Sequence, residues 1–195
     1  MKKLDESVRR NIIDASKTVF RKYGYAKVTM DDIAKTSGKG RSTLYYYFKN
    51  KHDVFAVVAL EEYIDIIGPA TEAVSKDNSL YENIYTYNTL KLDRLKKKVK
   101  EYDHLMHDLR NDDDFFFKIF KIVTEKELVL FKQLLLWAVE NKDIAHLSSD
   151  DLKYLSLAVV TALASLEKEF ILYGAIDDMT SRTEWMIRLL IKGLQ

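Results

Sequence analysis

An all-α fold of about nine helices, a small three-helix head followed by a larger helical body, is what this sequence predicts, and three observations predict it. Helix breakers are scarce, with one proline and six glycines in 195 residues. No segment sustains the alternation of polar and apolar residues that a half-buried strand needs. Leu, Lys, Glu and Ala, all good helix formers, recur throughout. A hydrophobic content of 47% against 31% charged residues is enough for a sizeable core in water. The chain has no cysteine, which excludes disulfides, thiolate metal sites and cysteine nucleophiles.

The elements follow in order. Val8, Ile12, Ile13, Ala15, Val19 and Phe20 form a stripe at helical spacing over about Asp5 to Tyr23, and Gly24 ends it. Thr29 followed by Asp32 reads as a capping pair that opens a short helix. "SGKG" breaks that helix, and "RSTLYYYF" makes a third. A fourth runs from about Asp53 to Ile67, where Gly68-Pro69 is expected to kink or interrupt it. Further helices are expected over Leu80–Lys100, Tyr102–Leu109, Phe115–Glu140, Ser149–Tyr173 and Ser181–Gly193, with Ser149, Asp150 and Asp151 suited to open the eighth. The domain boundary is expected at 51/52: residues 1–51 as head, 52–195 as body.

Charge divides the same way. Residues 1–51 hold 13 Lys and Arg against 5 Asp and Glu, and the remaining 144 hold 18 against 25. A basic head on an acidic body points to a polyanion such as nucleic acid as the head's partner. Two short helices joined by a glycine turn, behind a longer helix, describe a helix-turn-helix. Ala34 allows close approach of the second helix, Gly38 supplies the left-handed turn, and Ile33 and Leu44 complete the apolar face. Four consecutive aromatics, Tyr45 to Phe48, point around more than one turn of a helix. One buried face cannot absorb them. Leu44 and Phe48 are expected in the core and the tyrosines outward, with core packing as the alternative for Tyr45.

The segment "TMDDIAKTSGKGRSTLYYYFKNKHDVF", Thr29 to Phe55, closely resembles the DNA-binding motif of the TetR family of bacterial transcription regulators. The resemblance covers about the first 55 positions residue by residue; beyond them only length and helical content match. It implies a head that reads double-stranded DNA, on a helical body that binds ligand and dimerises. Arg41, Ser42 and Thr43 would enter the major groove. Tyr45, Tyr46, Tyr47 and Lys51 would contact the backbone and some bases, with Lys39 in the turn beside them. Thr29 would clamp a phosphate through its hydroxyl and nearby amides. Lys39 stands where an apolar residue is common. Gly40 stands where a serine usually caps the recognition helix and contacts phosphate.

In the body, small residues amid Leu and Val suggest close approach of two helices across a two-fold axis. The expected homodimer interface comprises Leu155, Ala158, Val159, Ala162 and Leu166 with Trp185, Met186, Leu189 and Leu190. Two heads so joined would read a pseudo-palindromic operator. Tyr63, Ile67, Tyr85, Asn88, Leu105, Phe116, Phe120, Phe131 and Trp137 form an aromatic-rich set. They suit either an apolar or aromatic small-molecule effector or ordinary bundle core. No metal or other cofactor is expected: His104 and His107 lack a third ligand nearby in sequence. "RLKKKVK", Arg94 to Lys100, reads as a solvated face.

Catalysis is not expected, since no Ser/His/Asp arrangement and no phosphate-cradling glycine loop is present. Neither is a membrane span, since no uncharged apolar run reaches the required length. The charged N-terminus does not read as a signal peptide, and a cytoplasmic location is expected. The composite expectation is a DNA-binding transcription regulator, a repressor, tuned by a small molecule. The alternative keeps the head and makes the body a protein-interaction platform.

Overall fold

A computed structural model describes residues 2–109, 113–173 and 179–194, and the side chains at most of them. Among the described residues all nine elements are α-helices: α1 (Lys2–Tyr23), α2 (Met30–Ser37), α3 (Arg41–Tyr47), α4 (Lys51–Glu72), α5 (Leu80–Glu101), α6 (Asp103–Leu109), α7 (Asp113–Glu140), α8 (Ser149–Tyr173) and α9 (Met179–Lys192). The chain forms two compact units, 1–63 with 98–119 and 64–97 with 120–195. These units are compact bodies and do not test the division of function expected at 51/52. The first unit takes the start of α4 and all of α6 along with the head.

Local chemistry sets the helix ends. Thr29 and Asp32 form a reciprocal capping box at the start of α2. Gly38, with φ 64°, ends that helix. Its N–H donates to the Lys35 carbonyl at 3.2 Å, and the Lys39 N–H to the Ala34 carbonyl at 3.0 Å. This is the paired closure that a left-handed residue makes possible. Asn50 caps α4 by accepting the Asp53 N–H at 2.9 Å. Ser79 and Glu82 cap α5 reciprocally, a box not anticipated from the sequence. At α8 the cap is Ser148, which accepts the Asp151 N–H at 3.1 Å, so Ser149 is the first helical residue rather than the cap.

Of the kink or interruption expected at Gly68-Pro69, the interruption does not occur: α4 runs through the pair to Glu72. Proline has no N–H to give the carbonyl four residues back. That carbonyl, of Asp65, instead accepts the Arg94 Nε at 3.0 Å, so the acceptor freed by the proline is satisfied from α5.

In the first unit the stripe of α1 is buried as its spacing requires: Ile12, Ile13, Val19 and Phe20 are buried, as are Ile33, Leu44 and Phe55 of the same unit. Phe20, Phe55 and Tyr25 pack ring to ring, with centroids 5.1 to 6.1 Å apart. The second unit has its own core, including Leu80, Ile84, Tyr87, Phe131, Leu134, Val160 and Leu163. Within it stands a charged group. Lys91 Nζ donates to Glu127 Oε1 at 2.5 Å. It also lies 2.7 Å from Glu167 Oε1, an ion pair without hydrogen-bond geometry. The Tyr87 hydroxyl donates to Glu127 at 2.7 Å. All three charged side chains are at most 7% exposed. Burial pushes the Glu167 carboxyl up, to about 7. The Lys91 ammonium is held charged by the two carboxylates, which outweigh its burial.

Candidate nucleic-acid interface

The surface of α3 is built from seven residues, and its sequence decides which side faces in. Leu44 is fully buried and fastens the helix to the core, a placement worth about 1.5–3 kcal/mol for a leucine side chain. Phe48 is also buried, but as the extended residue that ends the helix rather than as its last turn. The Arg9 guanidinium lies over its ring, 5.4 Å from the centroid. Gly40 precedes the helix in extended conformation and offers no side-chain cap. Its carbonyl accepts the Leu44 N–H at 3.1 Å.

The remaining positions point outward. Tyr45 is 52% and Tyr46 75% exposed, large values for aromatic side chains. The alternative of core packing for Tyr45 does not hold. Tyr47 is half-buried, its ring edge-on to Tyr46 at 5.0 Å, and its hydroxyl donates to the Asp5 carboxylate on α1. That bond is the main cause pushing the Tyr47 hydroxyl up to about 12. Ser42 is exposed, while Thr43 and Lys39 are half-buried. Arg41, the first residue of α3, is exposed and forms an ion pair with Asp31 in the first turn of α2.

Two further predicted contact residues are engaged within the protein. The Thr29 hydroxyl donates to Asp32 at 2.5 Å, and together with the Thr29 N–H it holds that carboxyl below the ordinary carboxylate range. Its cap therefore shapes the start of α2 as well as lying at the surface. Lys51 turns back on the loop after α1. Its ammonium donates to the Tyr25 carbonyl at 2.7 Å and sits 4.3 Å from the Tyr25 ring centroid, and burial lowers its pKa.

The same loop is held from α6. Asp108 accepts the Ala26 N–H at 2.8 Å, and a Cβ on Gly24, at φ +79°, would stand 2.5 Å from an Asp108 oxygen. Sequence reading missed Asp31, Asp5 and Asp108. The first two look like ordinary first-turn acids, and no spacing rule links Asp108 to a loop 82 residues away.

The body residues separate. Tyr63 and Leu105 belong to the first unit, whereas Ile67, Tyr85, Asn88, Phe131 and Trp137 belong to the second. Phe131 is core, edge-on to Tyr87 at 5.5 Å. Asn88 is buried and bonds back to the Ile84 carbonyl at 2.8 Å. Tyr85 stacks on Tyr81 at 5.7 Å, and Trp137 packs against the core. The side chains of Phe116 and Phe120, with the acidic-aromatic run that holds them, lie outside the described residues. On α8 and α9, Leu155, Ala158, Val159, Ala162, Met186 and Leu190 line one shallow apolar groove. Val159 belongs mainly to the core, and Leu166 is half-buried. Trp185 and Leu189 stand out from α9, at 63% and 50% exposure. Tyr154 and Leu157, not anticipated, are exposed on α8. Among the described residues no group of three His, Asp or Glu could hold a metal ion, and no helix is long and apolar enough to cross a membrane.

Comparison with known proteins bears on this arrangement. The profile of bacterial regulatory proteins of the tetR family matches residues 12–58, the helices just described. The match covers 47 of the 195 residues, so it is the N-terminal helices that carry the likeness to the TetR family. An uncharacterized HTH-type transcriptional regulator, YhgD of Bacillus subtilis, is 30% identical over 77 residues, 40% of each chain. The HTH-type transcriptional regulator TtgR of Pseudomonas putida is 29% identical over 115 residues, covering 56% of this chain and 54% of that one. The matched stretch thus spans about half the length of these curated relatives, or less.

Likeness of fold extends further. A TetR-family regulator structure from Syntrophomonas wolfei superimposes with TM-score 0.71 at 18% identity, over 97% of each chain. SmeT, the repressor of a Stenotrophomonas maltophilia multidrug efflux pump, does so with TM-score 0.65 at 15% identity, over 94% of this chain and 87% of that one. These matched relatives are transcription regulators, not enzymes.

Proposed function

We propose that the protein is a sequence-specific transcription regulator, a repressor, that binds a pseudo-palindromic operator as a homodimer. The observation that carries this reading is the outward display on α3 of Arg41, Ser42, Tyr45 and Tyr46 while Leu44 alone anchors the helix. A helix so divided suits the major groove. Its hydroxyls can meet phosphates, its cation base edges, and its aromatic rings sugars and thymine methyls. Thr29, Lys39, Thr43 and Tyr47 flank that surface and complete it. Tyr47 and Thr29 would exchange or share their present partners with phosphate, and Lys51 would act chiefly by holding the loop after α1. DNA as the partner places the protein in the cytoplasm.

Dimerisation is supported by the exposed apolar strip of α8 and α9. Trp185, Leu189, Tyr154 and Leu157 are exposed on the two helices that supply Ala158, Ala162, Met186 and Leu190 to the groove. Large apolar side chains are costly to leave in water, and small ones on the same helices allow two helices to approach closely. In sedimentation the wild type should run as a dimer and Trp185→Glu as a monomer. A monomeric wild type would overturn the two-fold reading.

Effector control belongs to the same proposal. SmeT is the repressor of a multidrug efflux pump, and the aromatic content of the body here suits an apolar or aromatic small molecule. Such a molecule acts only through its difference in affinity for the DNA-competent and DNA-incompetent states.

A further inference from the structure

We propose that Asp31 is a positioning residue that makes Arg41 a reader of guanine rather than a phosphate clamp. The inference rests on the reading of α3 as the helix that enters the major groove. Arg41 opens α3, and its side chain is 69% exposed. Its Nη2 donates to Oδ2 of Asp31, whose own side chain is 39% exposed. The backbone under Asp31 is fixed, because it sits between Thr29 and Asp32 of the capping box that starts α2. The anchor for the guanidinium is therefore stationary while the rest of the arginine remains open to a partner.

Two consequences follow from the chemistry of the pair. A guanidinium is planar and carries five N–H donors in a fork. With one terminal nitrogen held by a carboxylate, its range of orientations is narrowed and its other donors are left for a partner. Guanine presents two acceptors side by side in the major groove, O6 and N7, which such a fork meets bidentately. Adenine offers an acceptor and a donor there, so a fork of donors is a poor match.

The second consequence concerns charge. A free arginine beside DNA gains from displacing counterions at a phosphate whatever the sequence. Paired with Asp31, Arg41 brings almost no net charge, and the carboxylate itself repels phosphate. The pair thus weakens sequence-independent binding and leaves hydrogen bonding to a base edge as the favourable use of the remaining donors. Asp31 itself need not touch DNA.

The test is selection from a random double-stranded DNA pool with the full-length protein, followed by a salt titration of the selected site. The wild type should enrich a site with one invariant G·C pair in each half. Asp31→Asn and Arg41→Ala should both enrich the same site with preference at that one pair relaxed about tenfold or more, and elsewhere unchanged. The double variant should be no less selective there than Arg41→Ala. Asp31→Asn should also bind random DNA more tightly, with a salt slope steeper by about one phosphate. An identical preference at every position for Asp31→Asn, with uniformly tighter binding, would overturn the inference and make Asp31 a simple electrostatic brake. A wild type that enriches nothing would overturn the DNA-binding reading, and this inference with it.

Discussion

The head and the second unit hold charge in opposite ways. In the head, Arg41 and Asp31 pair at the surface, 69% and 39% exposed, where water competes for both. In the second unit, Lys91, Glu127 and Glu167 meet in the core at 1%, 3% and 7% exposure. A surface pair adds little to folding and leaves its remaining hydrogen-bonding groups open to water or a partner. A buried pair costs much to desolvate and, once made, cannot be half removed. The first arrangement suits a face whose remaining donors stay open to DNA. The second suits a core that must assemble in a single way, tying α5, α7 and α8 together at one point.

The largest effect should come from breaking the buried group. Lys91→Met leaves two carboxylates in the core and should lower the stability to urea by about 3–5 kcal/mol. Replacing all three by Met or Leu should restore stability, because the desolvation cost goes with the charges. A loss for Lys91→Met no greater than that of a surface substitution would show that the group is hydrated, and the contrast would fail.

A smaller, pH-dependent effect should come from Glu167. Its carboxyl titrates at about 7 in the folded chain against 4.5 ordinarily, because burial disfavours the charge. The folded state therefore holds this proton more tightly than the unfolded one. The stability this gives is full below the ordinary value and is lost as pH rises through the window up to about 7. Glu167→Gln removes that slope. Its urea midpoint should gain on the wild type steadily from about pH 5 to about pH 7 and then hold constant, by at most about 1.4 kcal/mol per pH unit. A difference independent of pH would mean that Glu167 keeps its ordinary affinity for protons.

How much of this was legible in the sequence depends on the distance between partners. The head could be read because its determinants are local. The Thr29–Asp32 box, the Gly38 turn and the spacing of Leu44 lie within sixteen residues, and each acts on its own backbone. The division of the aromatic run could be read for the same reason, since 100° per residue decides which side faces in. Where partners are remote, the reading failed or fell silent. Pro69 looks like a break until Arg94 is seen to satisfy the Asp65 carbonyl. Lys91 looks like one more lysine of a charged helix, and nothing in its neighbourhood announces Glu127 or Glu167. Lys51 looks like a phosphate cation until the Tyr25 carbonyl and ring are found beside it. The exposed strip of α8 and α9 was partly legible from its small residues, but Tyr154 and Leu157 join it only once the helix is oriented.

The central claim, that the outward face of α3 reads DNA while its inward face only anchors the helix, is tested most directly by one titration. Full-length protein and its Tyr46→Ala variant would be titrated against the DNA upstream of its own gene and an unrelated fragment of equal length, over a salt series. The wild type should prefer the upstream fragment, with affinity falling linearly on logarithmic axes as several phosphates' counterions are released. Tyr46→Ala should weaken that binding by about tenfold, as expected for a lost hydrogen bond to a charged group, with helicity and melting unchanged. Equal binding to both fragments, or a Tyr46→Ala variant that loses helicity in proportion to affinity, would contradict the account.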